Sequence, residues 1–343
     1  MRSPETVNTC TYVLPIRRNA FAEDGTAELR EYLSILQAAG CDVLVIDGSP
    51  PQVFAQHHEL WSAVCRHEHV NSRYGFLNDK VNAIHTGVEL AATEKIIIAD
   101  DDIRYGKIDI EQVNELLKQF DVVRPQNYLV GTPRCGVRTS QRDVPTASPL
   151  PIWAKMEGAR MLINRATLRH ADYPGTCAFR RSTFIAAGSY DGDVLFDNEE
   201  IIRHFARSGA RVCYADDLFI AKRPPTFRKW LEQRPRQAYE DFGLRFKTML
   251  FAALLPLMIS AIAIDARYLS ILLLSVVVAV GGWVRGRARK FFPFHVCLFA
   301  PLWVVERSVS TYWAFWWFVA RGGYPFGDQL LSKGIGRDWK LAR

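Results

Sequence analysis

Residues 95–102 read Lys-Ile-Ile-Ile-Ala-Asp-Asp-Asp, a β-branched apolar run that drives straight into three carboxylates. Lys95–Ala99 has the length and branching of a buried strand. Three adjacent negative charges repel one another and favour no regular structure, so the strand ends where the acids begin. In α/β sheets, ligands sit at the carboxyl ends of the strands. The place of Asp100, Asp101 and Asp102 therefore matters as much as their number.

The same alternation runs upstream. Thr11–Pro15 is a short apolar run, and Leu29, Tyr32, Leu33 and Leu36 fall at helical spacing within 26–39, with Gly40 closing the helix. Asp42–Ile46 is a second β-branched strand, ended by the turn residues Asp47-Gly48-Ser49-Pro50. Helices are expected over 53–66 and 80–92. Strands separated by helices imply right-handed βαβ units and an α/β sheet that is mixed but mainly parallel. Residues 121–243 are less periodic, with Pro145, Pro149 and Pro151 in loops and a helix expected over 199–208. They read as a continuation of one domain, 1–243.

Apolar residues make up 49% of the chain and charged residues 23%, which excludes a disordered protein. The formal charge of +7 is uneven: residues 244–343 carry 13 Lys and Arg against 4 Asp and Glu. The basic excess coincides with the most apolar stretch, which points to a membrane surface rather than nucleic acid. Seven cysteines without a CxxC give no disulfide framework and suit a reducing compartment. The N-terminus lacks the apolar core of a signal peptide, so residues 1–243 are expected in the cytosol.

Thr248–Ile264 and Tyr268–Val284 each hold 17 residues without a charge, separated only by Asp265-Ala266-Arg267. A span needs about 17–25 residues, so 244–290 is expected to form a transmembrane helical hairpin. Arg285, Arg287, Arg289 and Lys290 place its ends on the cytosolic side. Glu306-Arg307 interrupts two further apolar runs, and the tryptophans there favour interfacial or re-entrant helices over 291–343.

Asp100 and Asp102 supply two carboxylates from one strand end. Such a pair suits Mn²⁺ or Mg²⁺, with a substrate diphosphate completing the coordination. The plainer alternative is an acidic turn that caps a following helix. His57, His58, Cys65, His67 and His69 fit no usual zinc spacing and read as a polar helix face. No GxGxxG, GxxxxGK[ST] or GxSxG occurs, so dinucleotide, P-loop and hydrolase readings lack their anchors.

Several short segments together resemble the family 2 glycosyltransferases, inverting nucleotide-sugar enzymes with the GT-A fold. Val13-Leu14-Pro15-Ile16-Arg17 resembles the first strand, where the nucleotide docks. Val45-Ile46-Asp47-Gly48-Ser49 resembles VDDGS, whose Asp contacts the base, with Ile46 replacing one acid. Lys80-Val81-Asn82-Ala83 resembles the stretch before the DxD strand, and Asp100-Asp101-Asp102 resembles DxD itself. Phe196-Asp197-Asn198-Glu199-Glu200 resembles the ED segment, whose Asp is the general base, although Phe196 stands where its Glu should be. Gln233-Arg234-Pro235-Arg236-Gln237 resembles QxxRW of the polysaccharide synthases and ceramide glucosyltransferases, with Gln237 replacing the Trp; Tyr239 or Trp230 are candidate substitutes for the ring.

The resemblance implies a GT-A domain holding a nucleotide-diphosphate sugar, UDP being the family's commonest nucleotide. It implies nucleotide contacts from Pro15, Arg17, Asp47, Lys80, Asp100 and Asp101, with Gln233, Arg234 and Arg236 near the diphosphate. Asp100 and Asp102 would hold the metal. Asp197 would be the base, with Glu199 or Glu200 as alternatives. The expected protein sits in the cell membrane as a multi-pass chain facing the cytosol and glycosylates a lipid or lipid-linked acceptor. A processive polysaccharide synthase and a catalytically inactive scaffold of the same fold are the alternatives.

Overall fold

The structure, a computed structural model, describes residues 9–131, 149–170, 175–240, 245–327 and 329–334. The expected boundary at 243, Pro145 and the basic residues beyond 334 lie outside them. In chain order the elements are β1 (Cys10–Ile16), α1 (Glu23–Ala38), β2 (Cys41–Asp47), α2 (Pro51–Trp61), β3 (Arg66–His69), α3 (Asp79–Leu90), β4 (Lys95–Ala99), β5 (Ile103–Arg104) and α4 (Lys107–Gln119). There follow β6 (Val122–Leu129), α5 (Ile152–Thr167), β7 (Thr176–Arg180), α6 (Arg181–Ala187), α7 (Asp197–Arg207), β8 (Val212–Lys222) and α8 (Phe227–Glu240). The C-terminal part holds α9 (Arg245–Ile264), α10 (Leu274–Val284), α11 (Ala300–Arg321), β9 (Tyr324–Phe326) and β10 (Gln329–Leu331).

Eight strands form one mixed sheet in the order β3-β2-β1-β4-β7-β6-β8-β5. Strands β3, β2, β1 and β4 run parallel to one another, as do β6 and β8, whereas β7 is antiparallel to β4 and β6, and β5 to β8. The central strands are apolar on both faces because helices cover both, as parallel sheets require. Tyr12, Leu14, Val43 and Ile97 pack on one side with α1 and α4, and Val13, Leu44, Ile96 and Ile98 on the other with α3 and α7. Gly87 gives α3 its close approach, since a Cβ there would overlap Val13. Gly40 ends α1 at φ +86°, the left-handed conformation that glycine takes without strain.

Helix bounds differ from the pattern by a few residues. The helix expected over 53–66 stops at Trp61, because Arg66–His69 joins the sheet beside β2. The apolar C-terminal runs depart further. Helix α9 is exposed along most of its length, and among the described residues only its segment Phe246–Ile264 is long and apolar enough to cross a membrane. The expected second arm of the hairpin is not one helix. It divides into a 3-10 segment, Ala266–Leu273, and the 11-residue α10. Near the end of α10, Gly282 lies against the carbonyl of Leu162, so α10 touches α5 backbone to backbone. Arg285 then donates to the carbonyls of Arg165, Leu168 and Arg169, satisfying the C-terminal end of α5.

Candidate active site

The strand ends of β1, β4, β6 and β8 open into a cavity of about 550 Å³. Pro15 and Arg17 reach it from the end of β1, and Gly48 from the end of β2. Lys80 comes from the first turn of α3, where Asn78 caps the helix by accepting from the Lys80 backbone N–H at 3.0 Å. Asp100, Asp101 and Asp102 follow β4, and Asp197 and Glu199 lie in the first turn of α7. Gln233 and Arg236 project from α8. The structure thus gathers residues from both ends of a sequence interval of more than 200 residues around one space.

At the centre, Lys80 Nζ lies 2.6 Å from Asp100 Oδ1, 2.9 Å from Asp197 Oδ2 and 2.9 Å from Asn198 Oδ1. Burial works against the charged ammonium. The two carboxylates more than offset that and hold Lys80 above the usual lysine range. Burial likewise opposes ionisation of Asp100, but Lys80 holds its carboxyl below the usual range. Asp102 differs: burial pushes it up, against the pull of Lys222, whose Nζ is 3.4 Å away. The Asp102 backbone is fixed by Arg223 N–H, which donates to its carbonyl at 2.8 Å. Gly175 lies against Asp100, and any side chain there would overlap the carboxylate. Asp101 is more open, 3.7 Å from Arg18 and 3.9 Å from Lys229.

Asp102 Oδ1 is buried without a hydrogen-bond partner among the described residues. No group of three His, Cys, Asp or Glu side chains gathers there for a metal, again among the described residues. An orphan carboxylate oxygen beside a second carboxylate nevertheless fits Mn²⁺ or Mg²⁺ when the remaining ligands are phosphate and water. Asp100 and Asp102 are the residues that fit.

Two expected nucleotide contacts lie elsewhere. Asp47 is 1% exposed, and its carboxylate accepts from the Ser49 backbone N–H at 2.8 Å. His57 Nδ1 lies 2.7 Å and His67 Nε2 3.1 Å from its Oδ2. Burial raises its pKa, yet these hydrogen bonds outweigh burial and hold it well below the usual carboxylate range. Asp47 therefore orders the loop after β2, and Gly48 rather than Asp47 lines the cavity. His57 and His67 do not belong to a polar helix face: both are buried, and His57 stacks on Trp61 at 4.4 Å, while His58 and His69 are exposed.

Arg234 is also turned away. It is 2% exposed, 3.2 Å from Glu157 Oε2 and 3.5 Å from Glu306 Oε2, and stacks on Trp230. Arg236 instead faces the cavity, with its guanidinium 5.6 Å from the Phe196 ring and 4.7 Å from the Phe326 ring. Its Nη2 donates to the Leu195 carbonyl at 3.0 Å, and it has no carboxylate partner among the described residues. Neither Trp230 nor Tyr239 lines the cavity; Gln237, which replaces the Trp, does.

Sequence reasoning missed Lys222, Glu157, Arg160, Phe326 and Gly327, all at the cavity wall. Lys222 ends an apolar strand, a position like that of Asp47 and Asp100, and that signal was available. Glu157 and Arg160 come from α5, and Phe326 and Gly327 depend on the C-terminal return of the chain. Phe196 N–H donates to the Gly334 carbonyl and Leu195 N–H to the Lys333 carbonyl, so residues 324–334 are stitched to the lead-in of α7. Leu129, Met161, Phe219 and Phe292, from the cluster that also holds α10 and the start of α11, add apolar surface beside Glu157, Arg160 and Arg165.

No family model matches the chain, and no curated protein matches it. Among solved structures, a mannosyltransferase of Pyrobaculum calidifontis in complex with GDP-mannose and Mn²⁺ is similar at 15% identity. The match covers 89% of this chain and 87% of that one, with a TM-score of 0.45. A candidate nucleotide-diphospho-sugar transferase of Desulfovibrio desulfuricans G20 is similar at 8% identity over 63% and 81% of the two chains, with a TM-score of 0.34. A mycobacterial protein is similar at 11% identity over 65% and 70%, with a TM-score of 0.40. At these identities and scores, none assigns a family or an activity to the chain.

Proposed function

We propose that the cavity transfers a hexose from a nucleotide-diphosphate sugar to a hydroxyl of a lipid or lipid-linked acceptor, with inversion at the anomeric carbon. The observation that carries this reading is Lys80 set between Asp100, on the donor strand, and Asp197, at the N-terminus of α7. The two carboxylates thereby take different roles. Asp197 accepts the proton of the acceptor hydroxyl, a task that needs a carboxylate within hydrogen-bond reach of the attacking oxygen. That oxygen bonds to the anomeric carbon as the bond from carbon to the diphosphate breaks. Lys80 orients both carboxylates, and Lys222 and Arg236 place further positive charge around the leaving diphosphate. Asp100 and Asp102 would hold Mn²⁺ or Mg²⁺, which when bound supplies Lewis-acid stabilisation of charge on the diphosphate.

Pro15, Arg17 and Gly48 form the nucleotide end of the cavity, and UDP is the first nucleotide to test. The acceptor end is the apolar surface beside the C-terminal helices, which suits a substrate whose tail stays in a membrane on the cytosolic side. The test is a panel of nucleotide sugars incubated with the full chain in lipid vesicles, with free nucleoside diphosphate as the readout. The expected result is metal-dependent release that is lost in Asp102→Ala and Asp197→Asn. Release by none of the sugars from well-folded protein would refute the reading. Near-normal turnover of Asp197→Asn would move the base to another residue.

A further inference from the structure

Helix α11 is built inside out. Between residues 301 and 320 every exposed position is apolar or aromatic, including Leu302, Val305, Val309, Trp313, Trp316 and Val319. Its buried face carries Arg307, Ser308, Ser310 and Thr311. A helix on a water-facing surface has the opposite arrangement.

The helix is also held against the catalytic domain from end to end. Ala300 packs with Leu162 and Val296, Trp303 with Met156 and Trp230, and Ala314 with Leu195 and Tyr239. At 22 residues it is about 33 Å long, enough to cross a bilayer if it stood free. Docked along its whole length, it does not stand free. Acidic charge is withdrawn from this face: Glu306, the one acid of α11, turns in to Arg234. Arg287, Arg289, Lys290 and Arg321 stay exposed.

We infer that α11 lies in the plane of an anionic lipid surface, with its apolar face in the outer acyl region of one leaflet. The inference rests on the membrane part of the proposed function and goes beyond it by fixing the face and the orientation. An apolar stripe with basic residues around it and aromatic rings at its edge is the chemistry of interfacial helices. The buried link from Glu306 through Arg234 to Glu157, which lines the cavity, then sets the height of the active site above the headgroups.

The test uses the full chain in vesicles of phosphatidylcholine with about 30% phosphatidylglycerol, an anionic surface of the kind basic flanks recognise. Leu302→Cys, Val309→Cys and Val319→Cys each receive an environment-sensitive fluorophore, with the parent chain carried through labelling as the blank. These positions are 50%, 51% and 79% exposed, so substitution disturbs no core contact. Lipids brominated near the headgroup or near the chain end report depth. The expected result is equal, shallow quenching at all three sites, about twofold or more weaker in vesicles of phosphatidylcholine alone. Deepest quenching at Val309 with both ends shallow would mean a crossing helix and overturn the inference. No quenching at any site would overturn it too, as would equal quenching in both vesicle types for the anionic preference. Nucleotide-sugar turnover on the same samples keeps the two readings apart: turnover without quenching removes the docking face alone, and quenching without turnover removes sugar transfer alone.

Discussion

Replacing Asp47 by Ala separates an architectural role from a ligand-binding one. The carboxylate is buried and receives three polar contacts, from the Ser49 backbone and from His57 and His67. Truncation leaves two buried ring nitrogens facing a void. Hydrogen bonds to a charged group contribute roughly 1.5–3 kcal/mol each, and the three overlap in one small site, so the expected cost is about 4 kcal/mol. For a domain of this size, each kcal/mol lowers Tm by about 2–4 °C, giving a drop of roughly 8–16 °C. Trp61, stacked on His57, reports the unfolding by fluorescence. The sign of the pH dependence follows from the depressed pKa of Asp47. Its contribution is complete above the unfolded value near about 3.9 and is lost as pH falls from there through the folded value. The gap in stability between parent and variant therefore stays constant from neutral pH to about pH 5 and closes below about pH 4. Nucleotide affinity, measured calorimetrically well below the variant's Tm, changes by less than about threefold. An unchanged Tm together with a tenfold or greater loss of nucleotide affinity would refute the reasoning and return Asp47 to the ligand.

Lys80→Met leaves Asp100 and Asp197 without their shared cation, and kcat at saturating donor is expected to fall about 100-fold or more. Gly282→Val forces α10 off the Leu162 carbonyl and should cost about 3 kcal/mol or more by chemical denaturation. Gly281→Ala is the control, since the added carbon meets only Ala166 at 3.9 Å and should change stability by less than about 0.5 kcal/mol. Glu157→Gln breaks a buried pair with Arg234 and should cost about 3 kcal/mol at pH 7. Arg160 and Arg234 overcome burial and hold Glu157 below the usual range. Its contribution is thus present above about pH 4.3 and fades as pH falls further, so denaturation curves of parent and variant should converge in acid.

Strand β4 and its three acids were legible because their signals are local: a β-branched run and a cluster of like charge need no partner to be recognised. The alternation of strands and helices likewise announced an α/β sheet. Asp47 shows where locality ends. Its partners are set by the register of β2 on β3, which pairs Val45 with His67, and by α2 lying over that pair. Nothing in the spacing of the histidines reveals that. Arg234 and Arg236 are two residues apart, and only the position of Glu157 and Glu306 decides which one is taken into the interior. Composition likewise carries no record of Gly282 meeting α5. Inverted polarity in α11 was hidden for the same reason: Glu306 and Arg307 looked like an interruption until their inward side was known.

The pairing of Leu195 and Phe196 with Lys333 and Gly334 bears on the order in which the protein is made. Synthesis proceeds from the N-terminus, so the nucleotide end, the acidic strand and even Asp197 emerge long before residue 334. Asn78 and Arg236 already hold the carbonyls of Val194 and Leu195, but the N–H groups of Leu195 and Phe196 gain their partners only after α9, α10 and α11 have been produced and the chain has turned back. A nascent or truncated polypeptide can therefore complete its eight-stranded sheet while the approach to Asp197 is only partly supported. Competence is acquired late, by a chain whose apolar helices are already in place.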